Sequence, residues 1–285
     1  LLDRRESCGY EIDGVIVSDN KIHVRKSGNP DYAFAFKMVI SDQVAEVKVL
    51  DVIYSISKSG YIKPRVRIEP VKLGGVTIEY ATGFNGKFIE DNKIGVGAII
   101  EIIRSGDVIP YIKSIIQPAE QTKLPDMSYH WNETHVDMIL DEIDDNEAVI
   151  EKNITAFFTS LKVDGLSEGN VKRIMNAGFK TIHGIILMKE TDFEGIEGFK
   201  EKMIKKIYNG IQTKVKNASL VEIMAASNML GRGLGLRKMK PIMEKYPDIL
   251  TSSHSEQDKK DMLMTVPNIG KENANAFVSN IPKFM

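Results

Sequence analysis

The sequence predicts a multidomain α+β chain, β-rich through Gln117 and all-helical from Glu151 onward. Three observations carry this. Residues 10–50 alternate apolar and polar in strand-like runs, as in Glu11-Ile12-Asp13-Gly14-Val15-Ile16-Val17 and Val44–Leu50. Between Lys58 and Pro110, short apolar alternations (Val66/Ile68, Val76/Ile78, Ile99–Ile103) are separated by Gly and Pro, the pattern of a small closed β-barrel. After Glu151, apolar residues recur at helical spacing, as in Ile154/Phe157/Phe158/Leu161, Ile204/Ile207/Ile211 and Met239/Ile242/Met243.

A length of 285 residues allows roughly two domains. Hydrophobic content of 42% and charged content of 27% are ordinary for a globular protein. The formal net charge of −1 means that any nucleic-acid surface has to come from local clustering of cations. Apolar runs are too short to span a bilayer, and no signal peptide opens the chain. The single Cys8 excludes an intrachain disulfide framework and points to a reducing, intracellular compartment. The chain opens on Leu1 without an initiator Met and stops directly after a helical pattern, so it reads as a piece of a longer protein.

In the first strands, Asp13-Gly14 between apolar residues is a tight-turn signature. Lys37, inside Ala33-Phe34-Ala35-Phe36-Lys37-Met38, is either an outward-facing strand residue or a partly desolvated phosphate ligand. The barrel's cations (Lys58, Lys63, Arg65, Arg67, Lys72, Arg104) sit at strand ends and turns. That arrangement suits a nucleic-acid backbone or an ordinary solvated face.

Four Gly-bearing turns punctuate the helical part. They are Val163-Asp164-Gly165-Leu166-Ser167, Ile196-Glu197-Gly198-Phe199-Lys200, Leu230-Gly231-Arg232-Gly233-Leu234-Gly235 and Val266-Pro267-Asn268-Ile269-Gly270-Lys271. Each precedes a helix with polar or basic residues in its first turns, the layout of helix-hairpin-helix repeats. A single such turn is a plain helix–helix connection. Four of them favour backbone approach to DNA phosphates at helix N-termini. Lys200 and Asn268 stand where a second glycine is usual, and Lys200, Lys202, Lys205 and Lys206 add positive charge there.

Lys58-Ser59-Gly60-Tyr61-Ile62-Lys63-Pro64, Glu69-Pro70-Val71-Lys72-Leu73-Gly74-Gly75-Val76, Ala81-Thr82-Gly83-Phe84-Asn85 and Arg104-Ser105-Gly106-Asp107-Val108-Ile109-Pro110 occur in that order. Together they resemble the oligonucleotide-binding (OB) domain of NAD-dependent DNA ligases. Tyr10–Val17 is similar to that family's fourth nucleotidyltransferase motif, and Ala33–Met38 to its fifth. The resemblance implies the end of a nucleotidyltransferase domain in residues 1–48, an OB barrel in 49–117, a linker in 118–150 and a helix-hairpin-helix DNA-binding domain in 151–285. It implies nicked double-stranded DNA as partner, NAD as co-substrate, Mg²⁺ held with help from Asp13, and Lys37 on the α-phosphate of AMP. Contacts to DNA fall to Lys58, Arg104, Gly165, Gly198, Lys200, Gly233, Gly235, Gly270 and Lys271. A monomer without membrane attachment is expected.

Three departures qualify it. Ser18 and Asp19 follow the fourth motif where the family carries a Lys, which alters the charge at that edge. The adenylated Lys-x-Asp-Gly should precede the fourth motif, yet the chain's Lys162-Val163-Asp164-Gly165 lies between helices. It is therefore read as a chance match, with the nucleophile upstream of Leu1 and the isolated chain inactive. Bacterial relatives place a four-Cys zinc finger after the barrel, but no Cys occurs there, and His130, His135 and Asp137 read as exposed loop residues, so no zinc is expected. The alternative function is a non-catalytic OB plus helix-hairpin-helix module that holds DNA for a partner.

Overall fold

The computed structural model describes residues 7–10, 14–25, 28–36, 42–73, 75–105 and 109–285. Chain contacts divide it into two compact units. One comprises Leu1–Ser55 with Ile62–Ile139, and the other Ile56–Tyr61 with Leu140–Met285.

The first unit opens with an antiparallel pair, β1 (Val15–Ser18) and β2 (Ala33–Phe36), in register from Val15↔Phe36 to Ser18↔Ala33. Its main body is built from β3 (Asp42–Ile56), β4 (Tyr61–Leu73), β5 (Val76–Thr82), β6 (Ile99–Ser105) and β7 (Tyr111–Gln117). The strand order β3-β6-β7-β5-β4 closes on itself through β3–β4, giving a five-stranded OB-like barrel. Period-two burial along β4 turns Ile62, Val66 and Ile68 into the barrel, while Arg65, Arg67 and Glu69 face out. Pro70 lies where the β4–β5 register slips between Arg67 and Val71, a bulge that spares it a ladder N–H bond. A short helix, α1 (Gly86–Asp91), N-capped by the Asn85 side chain, bridges β5 and β6. Its Ile89 plugs the core beside Val49, Ile100 and Ile102.

The segment expected as a linker is structured. Ala119 N–H donates to Lys93 O and Lys123 N–H to Ile94 O, which ties 118–125 down along the barrel. Two further strands, β8 (Tyr129–Trp131) and β9 (Met138–Leu140), extend the sheet beyond β4. The turn between them is organised by Asn132, whose Oδ1 accepts from the N–H groups of Val136 and Asp137. Asp137, expected as an exposed loop residue, instead pairs with Lys63 at 2.6 Å and is only 13% exposed. His135 is exposed as expected, yet it stacks on Trp131 with ring centroids 4.0 Å apart.

The second unit is helical: α2 (Glu147–Ser160), α3 (Glu168–Asn176), α4 (Ile182–Ile186), α5 (Glu190–Glu194), α6 (Glu201–Gly210), α7 (Leu220–Ser227), α8 (Leu236–Lys245), α9 (Glu256–Met264) and α10 (Lys271–Phe284). A π-helical turn, Ile211–Val215, continues α6. Two apolar clusters hold it. One gathers Phe157, Phe158, Ile174, Phe193 and Ile207, and the other Met239, Ile242, Leu263 and Phe277. No helix of the described residues is long and apolar enough to cross a membrane.

Tyr54 fastens the tied-down segment to β3: its hydroxyl donates to Lys123 O at 2.7 Å. Burial, then the neighbouring Tyr129, pushes the Tyr54 pKa well above the ordinary phenol value. Because the folded-state pKa is raised, this residue's contribution is intact below about pH 10 and is lost as pH climbs above it. Tyr54→Phe should cost about 1 kcal/mol at neutral pH, by orphaning the carbonyl, and should flatten the alkaline loss of stability. Urea midpoints at neutral pH and above pH 10 check both; an unchanged alkaline slope would remove Tyr54 from the account.

Candidate nucleic-acid interface

The helices of the second unit pack as consecutive hairpins, α2–α3, α5–α6, α7–α8 and α9–α10. Each predicted Gly-bearing turn is the loop of one hairpin, and the loops share a conformation. A left-handed residue comes first: Gly165 (φ 92°), Gly198 (φ 84°), Gly233 (φ 78°) and Asn268 (φ 65°). A buried apolar residue follows, respectively Leu166, Phe199, Leu234 and Ile269, and anchors the loop in a core cluster. Next comes the N-cap of the second helix, Ser167, Lys200, Gly235 or Gly270, in extended backbone. Asn268 therefore does what a glycine would do, since Asn tolerates the left-handed region. Lys200 occupies an N-cap that any residue can adopt.

Capping separates the two helices in three of the four hairpins. Asn146 accepts from Ala148 and Val149 N–H at α2, whereas at α5 the N-cap Lys189 brings no side chain to the first turn and only its own N–H is taken up, by the Asp192 carboxylate. Ser219 accepts from Glu222 N–H at α7, and Ser255 from Asp258 N–H at α9. At the second helices α3, α6, α8 and α10, no N-cap side chain bonds the first turn. Their leading N–H groups and positive dipole ends are left to solvent or a ligand. Among them only α8 has no acidic residue in its first turn, and it carries Arg237 and Lys238 there.

The charge on α6 is smaller than its sequence suggests. Lys205 pairs with Glu201 at 2.6 Å and Lys206 with Asp164 at 3.4 Å, leaving Lys200 and Lys202 without a carboxylate among the described residues. Lys271 opens α10 beside Gly270, exposed. Lys162-Val163-Asp164-Gly165 is the α2–α3 loop itself. Gly165 is pressed against Ile207, and a methyl group there would come 2.8 Å from that side chain. The motif is a helix–helix turn rather than a strand.

The turn Ile56–Tyr61 belongs to this unit. Lys58 O accepts from Asn153 Nδ2 at 2.8 Å and from Asn228 Nδ2 at 3.4 Å. Desolvation lowers the pKa of the Lys58 ammonium. Arg232 lies 3.8 Å over the Tyr61 ring.

In the barrel unit, Arg104 on β6 reaches back to Leu73 O at 3.4 Å. Arg65 covers the Tyr80 ring at 3.8 Å. Phe84 is 43% exposed with φ 58°, set edge-on to Phe88 and Tyr111. Nothing in its residue type signals that backbone strain. The proposed catalytic pair, Asp13 and Lys37, lies outside the described residues. No group of three or more His, Cys, Asp and Glu that would hold a metal occurs among the described ones.

Residues 46–123 match the family model of the NAD-dependent DNA ligase OB-fold domain. Over all of its length the chain is 44% identical to a DNA ligase of Acanthamoeba polyphaga mimivirus, covering 45% of that protein. It is 37% identical to a putative DNA ligase of Invertebrate iridescent virus 3, over 87% of the chain and 32% of the relative. A DNA ligase of Leptospira interrogans is 27% identical over 97% of the chain and 43% of its own length. The chain thus spans less than half of each of these relatives. These similarities support a segment of an NAD-dependent DNA ligase.

Asn268 tests the shared loop conformation directly, because its side chain is exposed and its packing does not confound the result. Asn268→Gly should leave stability within about 0.5 kcal/mol, whereas Asn268→Val should cost about 1–2 kcal/mol from the left-handed backbone alone. Denaturant midpoints of the two variants check this. A neutral valine would mean the loop relaxes away from the conformation of its three glycine counterparts.

Proposed function

We propose that this chain is the internal segment of an NAD-dependent DNA ligase that grips a nicked duplex and completes the adenylylation site. In this reading residues 1–48 close a nucleotidyltransferase domain, 49–117 are the core of the OB barrel, and 151–285 form a helix-hairpin-helix clamp. The observation that supports it is the capping contrast: N-cap side chains close three of the four first helices of the hairpins and no second one. Free N–H groups at repeated helix starts suit phosphates, and phosphate contacts position a protein without reading bases. An enzyme that seals nicks at any sequence needs that kind of grip.

The chemistry rests on the motif residues. NAD donates AMP to a lysine upstream of this segment, AMP passes to the 5′-phosphate of the nick, and the 3′-hydroxyl displaces it. Lys37 places fixed positive charge against the α-phosphate of the adenylate, and Asp13 helps to hold Mg²⁺, which supplies charge where negative charge develops. Lys58, Arg104, Lys200 and Lys271 contribute backbone contacts, with Gly165, Gly198, Gly233, Gly235 and Gly270 shaping the loops. The protein acts as a monomer and folds without zinc. The β8–β9 hairpin supports this reading, with Met138 and Leu140 buried and Asn132 accepting from the Val136 and Asp137 N–H groups of its turn.

Lys37→Ala in the longer protein should slow adenylyl transfer from NAD by roughly two to three decades while duplex affinity holds. Normal adenylation with weakened nick binding would make Lys37 a structural strand residue only. For the 285-residue chain, duplex affinity should fall log-linearly with salt by about 0.9 per phosphate contacted. Arg104→Ala should flatten that slope by about one.

A further inference from the structure

Two side-chain relays tie the hairpins together in pairs, and each ends in a cation. In the first, Asn170, the third residue of α3, donates from Nδ2 to Gly165 O at 2.7 Å, in the α2–α3 loop. Its Oδ1 accepts from Arg173 Nη1 at 3.2 Å. The guanidinium lies against Gly198 of the α5–α6 loop, so closely that a methyl group there would come 2.9 Å from Nη1. In the second, Asn273, the third residue of α10, donates from Nδ2 to Arg232 O at 3.4 Å, in the α7–α8 loop. Its Oδ1 accepts from Lys238 Nζ at 2.6 Å, and Lys238 is the third residue of α8.

The relays have the same logic: cation to Asn Oδ1, and Asn Nδ2 to the carbonyl of a hairpin loop. Each joins two neighbouring hairpins, α2–α3 with α5–α6 and α7–α8 with α9–α10. Neither Arg173 nor Lys238 is within ion-pair distance of a carboxylate among the described residues. An asparagine carries no charge, so it orients the cation without neutralising it. A carboxylate at the same place would hold the cation as well and cancel its field. Two uncompensated charges, each fixed between paired loops, fit an anion that spans both loops.

We propose that Arg173 and Lys238 are a matched pair of backbone-phosphate ligands, aligned by the positioning residues Asn170 and Asn273, so that each pair of hairpins grips one strand as a unit. This deepens the DNA-clamp reading and rests on it. Gly198 is then glycine for two reasons, its left-handed backbone and the room it leaves for the Arg173 guanidinium.

The test measures binding of the 285-residue chain to a fluorescent mixed-sequence duplex across a salt series. Arg173→Gln and Lys238→Gln should each reduce the salt slope by about 0.9 and weaken binding alike for all sequences. Asn170→Ala should weaken binding severalfold in the native background but less than about twofold in Arg173→Gln, because an aligner has nothing to align once the cation is gone. Asn273→Ala should behave the same way against Lys238→Gln. Unchanged slopes in both glutamine variants, with native binding intact, would overturn the relays and leave the clamp. Equal losses from Asn170→Ala in both backgrounds would overturn its positioning role. A native chain that binds no duplex at low salt would bring down the clamp reading itself. Should an alanine variant not fold, the glutamine slopes decide alone.

Discussion

An α-helix cannot satisfy its own first N–H groups, and what is done with those donors organises the helical unit. Here they are treated in two ways within one repeated motif. Asn146, Ser219 and Ser255 seal three of the four helices that lead into the hairpins. The helices that lead out follow a left-handed residue and a buried anchor, and their N-caps bring no side chain to the donors. The anchors make this stable. Leu166, Phe199, Leu234 and Ile269 fix each loop in a core cluster, so the helix start stays presented although its polar groups face outward. Charge follows the same plan, with Lys238 sitting inside one such first turn and Arg173 reaching the loop ahead of another.

The barrel solves a different problem, that of sheet edges. Closure of β3 on β4 leaves no free edge in the five-stranded body, and α1 plugs the gap between β5 and β6. The added hairpin β8–β9 continues the sheet from β4. Its turn is held by polar bonds of Asn132 and by the Lys63–Asp137 pair, interactions whose strength comes from partial burial.

Much of this was legible in the sequence. Short alternations divided by Gly and Pro gave away the barrel, because period-two burial leaves a direct trace. The hairpin loops were legible for a related reason: glycine favours the left-handed region, so Gly165, Gly198 and Gly233 marked their turns, whereas Asn268 read as a missing glycine although it adopts the same conformation. Residues 118–140 were harder to read. Their order depends on Lys93 O, Ile94 O, Tyr54 and Lys63, partners distant in sequence, and no periodicity records such ties. The cations of α6 were overcounted because Asp164, a loop residue on another helix pair, claims Lys206. Arg173 was passed over since nothing local distinguishes it; its meaning comes from Gly198, which only the packing of two hairpins brings beneath it.

A net charge of −1 sits uneasily with the proposed DNA clamp until the charges are sorted by partner. Most lysines near acids are spent within the protein, as Lys63 on Asp137, Lys87 on Asp91, Lys180 on Glu147 and Lys205 on Glu201. Arg173 and Lys238 are held by neutral partners instead, the side-chain amides of Asn170 and Asn273. Coulomb interactions between exposed charges fade within about 10 Å at ordinary salt, so a phosphate responds to the local set and hardly to the total. Acidic residues elsewhere would therefore cost the proposed clamp little, and they would leave phosphate binding to the places where donors and cations are fixed together.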